Sequence, residues 1–333
     1  MISRGTSYLI SLLLVVMVLD RIDIVGVLTG HIDKEDIRAS SGTLIAVVIK
    51  YLAPSFFAYI CLVYRFSSGR ISWKAVAISG AVVFFAGLSL GAKTGAIFTI
   101  LPGILALFLN GMRMRTLAFL GMAGVVTIVG AGMTFDRFHR GDLGATLQYV
   151  ADRAFILEAE PPYKIIRRAA DGTLGVDYLP TLAVVATNAV LRRTVQEGTL
   201  YRYSFPGVVS AEMYPRRIPN INSGRWNHTP DVMVEGVVAF GFYNFWLMAF
   251  IMVGIGWMLN NAIRSAVQAG NMAFASVVLT YFVFAYLAWI NSAGVASLIH
   301  PLVLGSLFIA WAMLRSIPVP VRFLWRKSPL AVD

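Results

Sequence analysis

The chain predicts an all-α polytopic membrane protein, with about eight transmembrane helices and one large loop outside the membrane. Three observations carry this. First, 58% of the 333 residues are hydrophobic and only 14% charged, with a mean hydropathy of +0.72, too apolar for a water-soluble core or a disordered chain. Second, the apolar residues fall in runs long enough to cross a bilayer core of roughly 30 Å. Third, the bases and acids of the connecting segments alternate as membrane insertion requires.

Taken in order, Arg4 precedes an apolar run from Tyr8 to Leu19 with no small-residue cleavage site after it, which reads as a short first span. An acid-rich segment, Asp20 to Gly42, leads to a second span, Thr43 to Tyr64, interrupted by Lys50 and Pro54. Lys50 has no acid in the neighbouring spans to pair with, so it snorkels or faces a cavity. A third span runs from about Lys74 to Leu90. The tight turn Gly91 to Gly95 opens a fourth, ending at Leu109, and a fifth covers Thr116 to Met133. A polar segment, Thr134 to Glu235, follows, with helix-like stretches at Leu143 to Glu158 and Pro180 to Arg193. The second stretch is too short to span and suits the membrane surface plane.

The sixth span is expected to run unbroken from Val232 to Leu259. Thr229 suits its cap, Pro230 its first position and Asp231 its first turn. A seventh covers about Met272 to Ile290 and an eighth Ser297 to Leu314. The chain thus divides into residues 1–133 with spans one to five, the loop 134–235, and 236–333 with spans six to eight and a basic tail.

The positive-inside rule tests this count. With the N-terminus in the cytoplasm, inside segments carry Arg4, Arg65, Arg70, Lys74, Arg113, Arg115, Arg264, Arg315, Arg322, Arg326 and Lys327, against Arg21, Lys34, Arg38 and Lys93 in short outside loops. Of the 17 acids, eleven lie between Asp136 and Glu235, and none lies in a cytoplasmic loop between spans. Both termini are therefore expected in the cytoplasm and the long loop in the periplasm, away from cytoplasmic nucleotides. The net charge of +11 is a topology signal rather than a nucleic-acid footprint. The single Cys61 excludes a disulfide within the chain and any cysteine-based metal site. The sequence has no metal-ligand spacing, phosphate-cradling glycine loop or serine nucleophile elbow.

The residues suited to chemistry outside the membrane gather where the loop meets the spans: Lys93, Arg216, Arg217, Arg225, His228, Asp231 and Glu235. Guanidinium forks bind phosphate oxygens bidentately, so this cluster suits an anionic lipid head, above all a pyrophosphate. His228 has the basicity to activate a hydroxyl at neutral pH. Asp231 and Glu235, four apart on a helix, share a face from which to support it. Structural readings stand beside each: Lys93 as a snorkelling span-end residue, Asp231 as a helix-dipole acid, the arginines as simple headgroup contacts. Glu235 is harder to dismiss, because an acid one turn inside an apolar span needs a partner. His31, His139 and His300 read as structural or solvated.

The pattern Asn-His-Thr-Pro-Asp-Val-Met-Val-Glu-Gly, from Asn227 to Gly236, resembles the histidine-bearing loop and glycine-marked helix of bacterial O-antigen polymerases and O-antigen ligases. The Ser-Leu-Gly-Ala-Lys-Thr-Gly-Ala turn, Ser89 to Ala96, resembles their basic turn, with Lys93 where arginine is more common. The resemblance implies a C-type membrane glycosyltransferase fold in a bacterial inner membrane. It also implies cofactor-free, metal-independent transfer of glycan from undecaprenyl pyrophosphate to an acceptor hydroxyl at the periplasmic face. By the same resemblance, Lys93 and Arg225 bind pyrophosphate, His228 is the base or a pyrophosphate ligand, Arg216 and Arg217 line the lipid side, and Glu235 or Asp231 orients the histidine. Membrane lipid, a chain-length regulator and a flippase are the implied partners. Polymerisation of lipid-linked repeat units is preferred; ligation to lipid A-core, or transport of the lipid-linked glycan without catalysis, remain the alternatives.

Overall fold

The computed structural model describes residues 47–66, 71–88, 93–109, 144, 148, 160–191, 205–222, 231–292 and 294–317. Among the described residues every regular element is helical. Helix α1 (Ala53–Phe66) continues a π-helical turn, Val48–Leu52, and is followed by α2 (Trp73–Leu88) and α3 (Lys93–Phe108). The loop contributes α4 (Glu160–Ala170), α5 (Tyr178–Leu191), α6 (Phe205–Met213) and α7 (Ile218–Asn222). Then come α8 (Val232–Phe240), α9 (Leu247–Gln268), α10 (Met272–Tyr281), α11 (Ala288–Ser292) and α12 (Pro301–Arg315). A π turn, Phe282–Leu287, joins α10 to α11, and a 3-10 turn, Val295–Ile299, precedes α12.

Four continuous helical stretches are long and apolar enough to cross a membrane: Val48–Phe66, Leu247–Gln268, Met272–Asn291 and Val295–Arg315. They correspond to the second, sixth, seventh and eighth expected spans. Two shorter apolar helices, Trp73–Gly87 and Ile97–Phe108, fall on the third and fourth. The first and fifth expected spans, and most of the helix expected at Leu143 to Glu158, lie outside the described residues. Lipid, rather than water, is the medium α9 is built for. Phe250, Val253, Trp257 and Met258 are each more than 60% exposed on it, an apolar surface that a water-soluble protein of this size does not leave open.

The expectation of one unbroken helix from Val232 to Leu259 is wrong. α8 ends at Gly241, whose φ of 80° and ψ of 168° lie in a region essentially reserved for glycine. The chain turns through residues 242–246 before α9 begins. Gly236 has no side chain where the carbonyl oxygen of Phe245 would stand 2.7 Å from its Cβ, so α8 folds back against the head of α9. Phe242, Tyr243 and Trp246 are exposed in this turn. The helix start also differs in register. Asp231, not Thr229, is the cap, its Oδ1 accepting from the Met233 and Val234 amides at 2.9 Å each.

The core of the bundle joins α1, α3, α10, α11 and α12 around Phe57, Cys61, Leu62, Ala106, Ala275, Leu279, Trp289 and Ala310. Hydroxyls tie helices together where the apolar drive between them is weak. Ser55 Oγ lies 2.7 Å from the Tyr51 carbonyl and 3.0 Å from Thr280 Oγ1, and Thr99 donates to the Val83 carbonyl at 3.2 Å. At one end of the bundle, Tyr59, Gly270, Asn271, Leu314 and Arg315 meet around a small cavity. Exposed Arg65, Lys74 and Arg315 lie in the terminal turns of helices, and exposed Arg264 lies just before the last turn of α9. Lys50, the base inside the second span, has its ammonium 5.8 Å from the centroid of the Tyr51 ring.

The loop helices build a second, smaller core from Ile165, Phe205, Val209 and Val234, with Tyr178 and Val238 against it. Arg168 fastens α4 to α6 by an ion pair with Glu212 at 3.1 Å, and also donates to the Glu212 and Thr173 carbonyls. Because Val234 lies on α8, this core docks the loop onto the membrane bundle directly beside Glu235.

Candidate functional site

Glu235 is fully buried in the first turn of α8, where the helix dipole favours negative charge. Four donors converge on its carboxylate. Oε1 accepts from the Tyr178 hydroxyl at 3.0 Å and the Val295 amide at 2.8 Å. Oε2 accepts from the Trp289 indole N–H at 2.6 Å and the Gly294 amide at 2.9 Å. Every partner donates and none accepts, the arrangement that suits a carboxylate in a dry interior. The side chain therefore joins α5, α8, α11 and the 3-10 turn, elements 54 to 60 residues away along the chain.

Local sequence explains why these donors are free to be used. The Trp289 indole is a large buried group whose N–H needs an acceptor. The Gly294 and Val295 amides sit at the start of a helical turn, where backbone donors have no partner within their own helix. Tyr178 opens α5, its ring edge-on to Phe205 with centroids 5.9 Å apart. Burial first, and then the charge and hydrogen bond of Glu235, hold the Tyr178 phenol above its ordinary titration range.

The other sequence-selected residues fall in three groups. Asp231 is exposed and spent on capping α8, one turn before Glu235 but facing solvent. Arg216 and Arg217 are exposed on the 3-10 turn Pro215–Arg217, between α6 and α7. Lys93 opens α3, its side chain outside the described residues, as are Arg225 and His228 altogether. Of the proposed cluster, the structure thus places Glu235 in a polar node and Asp231 at the mouth of the same helix. Among the described residues no group of three or more histidine, cysteine or acidic side chains is placed to hold a metal ion. His300 caps α12, its Nδ1 accepting from the Leu302 amide at 3.3 Å, the structural role expected of it.

Sequence reasoning missed Tyr178, Trp289, Gly294 and Val295. Only Trp289 carried a signal, as an indole N–H inside an apolar run in a chain that also buries an acid.

No protein-family model matches the chain, and no curated protein or solved structure does. The fold and the node define a helical membrane protein in which Tyr178 of α5 is fastened to α8, α11 and the turn before α12 through a buried carboxylate.

Proposed function

We propose that the protein polymerises lipid-linked oligosaccharide repeat units, transferring glycan from undecaprenyl pyrophosphate to an acceptor sugar hydroxyl at the outer face of a bacterial inner membrane. The observation that carries this reading is the anchoring of α8 by Glu235. The segment with Arg225 and His228 ends at the Asp231 cap, one helical turn from a carboxylate held by four donors. A loop that must present cations and a base to a lipid surface needs such a fixed end, because misplacement by about 1 Å costs on the order of 100-fold in rate.

In this reading Lys93 and Arg225 hold the pyrophosphate, and Arg216 and Arg217 lie on the lipid side. His228 takes the proton of the acceptor hydroxyl as its oxygen attacks the anomeric carbon. The bond from that carbon to the pyrophosphate oxygen breaks, and undecaprenyl pyrophosphate leaves with the electron pair. Glu235, all of whose acceptor positions are filled, acts as a positioning residue, as does Asp231 through its cap. The cytoplasmic termini and periplasmic loop belong to the same proposal; exposed bases at the helix ends, Arg65, Lys74 and Arg315, support it.

The test is an assay of the purified protein with an undecaprenyl-pyrophosphate-linked oligosaccharide, free of nucleotide and divalent metal. Wild type is expected to lengthen the glycan, and Arg225→Ala and His228→Ala to lower the rate at least 100-fold. Unchanged polymer formation in both variants would sink the residue assignment. Lipid binding without extension, restored by adding a lipid A-core acceptor, would instead identify a ligase. Movement of the lipid-linked glycan across a vesicle membrane without extension would identify a transporter.

A further inference from the structure

Between α5 and the Val295–Ile299 turn lies a cleft of about 410 Å³, lined by Leu179, Leu182, Ala183, Val295, Leu298 and Ile299 among others. Every lining side chain is apolar. The volume stands at the small end of ligand sites, which run from roughly 300 to 1,000 Å³, enough for part of one hydrocarbon chain and too small for a headgroup with its sugars. The cleft is also continuous with a membrane-facing surface. Its turn wall begins the stretch Val295–Arg315, one of the four long enough to span, on which Ile299, Leu304, Phe308 and Ile309 are all exposed.

The two walls share one fastening. Glu235 Oε1 accepts from Tyr178, the residue before Leu179 on the α5 wall, and from the amide of Val295 on the turn wall. A single oxygen thus holds both sides of the opening at a set separation.

We propose that this cleft seats an acyl chain of a bilayer phospholipid, and that Glu235, through Tyr178 and Val295, sets the width that retains it. The chain enters along the exposed stripe of α12 and lies between α5 and the turn, burying apolar surface that the loop otherwise leaves open to water. The site is independent of glycan transfer and needs no residue assigned to that chemistry except the anchoring carboxylate.

The experiment uses the full chain in proteoliposomes with a phosphatidylcholine that carries a diazirine on one acyl chain, photolysed at intervals after exchange into unlabelled lipid. Cross-links mapped to residues 179–183 and 295–299 should outlast those on the freely exposed face of α9 by at least 10-fold in chase time. Ala183→Trp, which fills the cleft from an exposed position, should cut cleft labelling at least 5-fold and leave α9 labelling unchanged. Tyr178→Phe, which keeps the ring but frees one wall, should shorten retention at least 3-fold.

Cleft labelling that decays as fast as α9 labelling, or persists in Ala183→Trp, overturns the site. Unaltered retention in Tyr178→Phe overturns the role given to Glu235. Displacement by equimolar polyprenol, against a large excess of phospholipid, overturns the choice of occupant. None of these readouts depends on glycan extension, so they stand or fall apart from the polymerase reading.

Discussion

Replacing Glu235 by glutamine keeps the side-chain shape and removes two acceptor sites and the charge. The amide oxygen can keep the Trp289 and Gly294 donors. The amide nitrogen then faces the Tyr178 hydroxyl, which can turn and accept, and the Val295 amide, which cannot. One buried N–H is therefore orphaned, at a cost of about 1–3 kcal/mol. The bonds that remain change from charge-assisted to neutral, about half the strength, for a further loss of ~2 kcal/mol. Together Glu235→Gln should destabilise the protein by about 3–5 kcal/mol. In a chain of this size, with about 2 °C lost per kcal/mol, the unfolding midpoint should fall by roughly 6–10 °C.

The chain supplies its own reporter. Cys61 is its single cysteine, fully buried in the same apolar cluster as Trp289. Maleimide labelling of Cys61 against temperature, in micelles, therefore reads opening of the bundle that Glu235 braces. Glu235→Asp should rescue little, because the shorter arm cannot reach all four donors from the same backbone. A midpoint for Glu235→Gln within about 2 °C of wild type, with glycan transfer abolished, would refute the reasoning. It would move Glu235 from bracing the site to reacting in it.

Further outcomes follow from the same geometry. The Tyr178 phenol has its titration raised above its ordinary value of 10.0, so the folded state holds that proton more tightly than the unfolded state. Its contribution is complete below about pH 10 and is lost as the pH rises beyond it; the stability gap between wild type and Tyr178→Phe should stay level from pH 7 to 9.5 and close above pH 10. Gly241→Ala puts a Cβ on a backbone with φ of 80° and should cost about 1–3 kcal/mol, read as a lower Cys61 labelling midpoint. Gly236→Ala drives a Cβ to 2.8 Å from that of Met248; parting α8 from α9 should cost about 1–3 kcal/mol and slow glycan transfer. Alanine at both Ser55 and Thr280 should cost only about 1 kcal/mol, with coupling in a double-mutant cycle near 0.6 kcal/mol, typical of hydroxyl pairs between membrane helices.

Hydropathy made the second, seventh and eighth spans legible, because runs such as Met272 to Ile290 exclude every charge and a bilayer allows them little but helix. The same signal misled at the sixth. Phe-Gly-Phe-Tyr-Asn is apolar enough to pass for membrane, and its turn-forming glycine and asparagine were outweighed by their neighbours. Only the conformation of Gly241 and the fold-back at Gly236 reveal two helices there. At the site, the demand was legible and the supply was not. An acid inside an apolar run announces that something must satisfy it, but Tyr178, Trp289 and two backbone amides lie far off in sequence. Backbone donors carry no residue signature at all.

That supply decides what the buried acid means for the cations around it. The expected partner for an acid in a span is a base, and a guanidinium spent on Glu235 would be a guanidinium withdrawn from any anionic substrate. Glu235 is instead balanced by dipoles, all four of its partners being neutral, with the N-terminus of α8 adding its own partial positive charge. Such donors stabilise a carboxylate without cancelling its charge at a distance. In the proposed reaction a base within reach of that charge, the role given to His228, would be favoured in its protonated form after taking a proton from the acceptor hydroxyl. In the same proposal the arginines, none of them spent on Glu235 in an ion pair among the described residues, would keep their charge for the departing pyrophosphate. Replacing Glu235 by glutamine should then shift the acidic limb of the pH–rate profile, the rise set by the base, to lower pH, a change a purely mechanical brace would not produce. If the variant, assayed well below its unfolding midpoint, lost rate equally at every pH, Glu235 would have no electrostatic role and only its bracing role would stand.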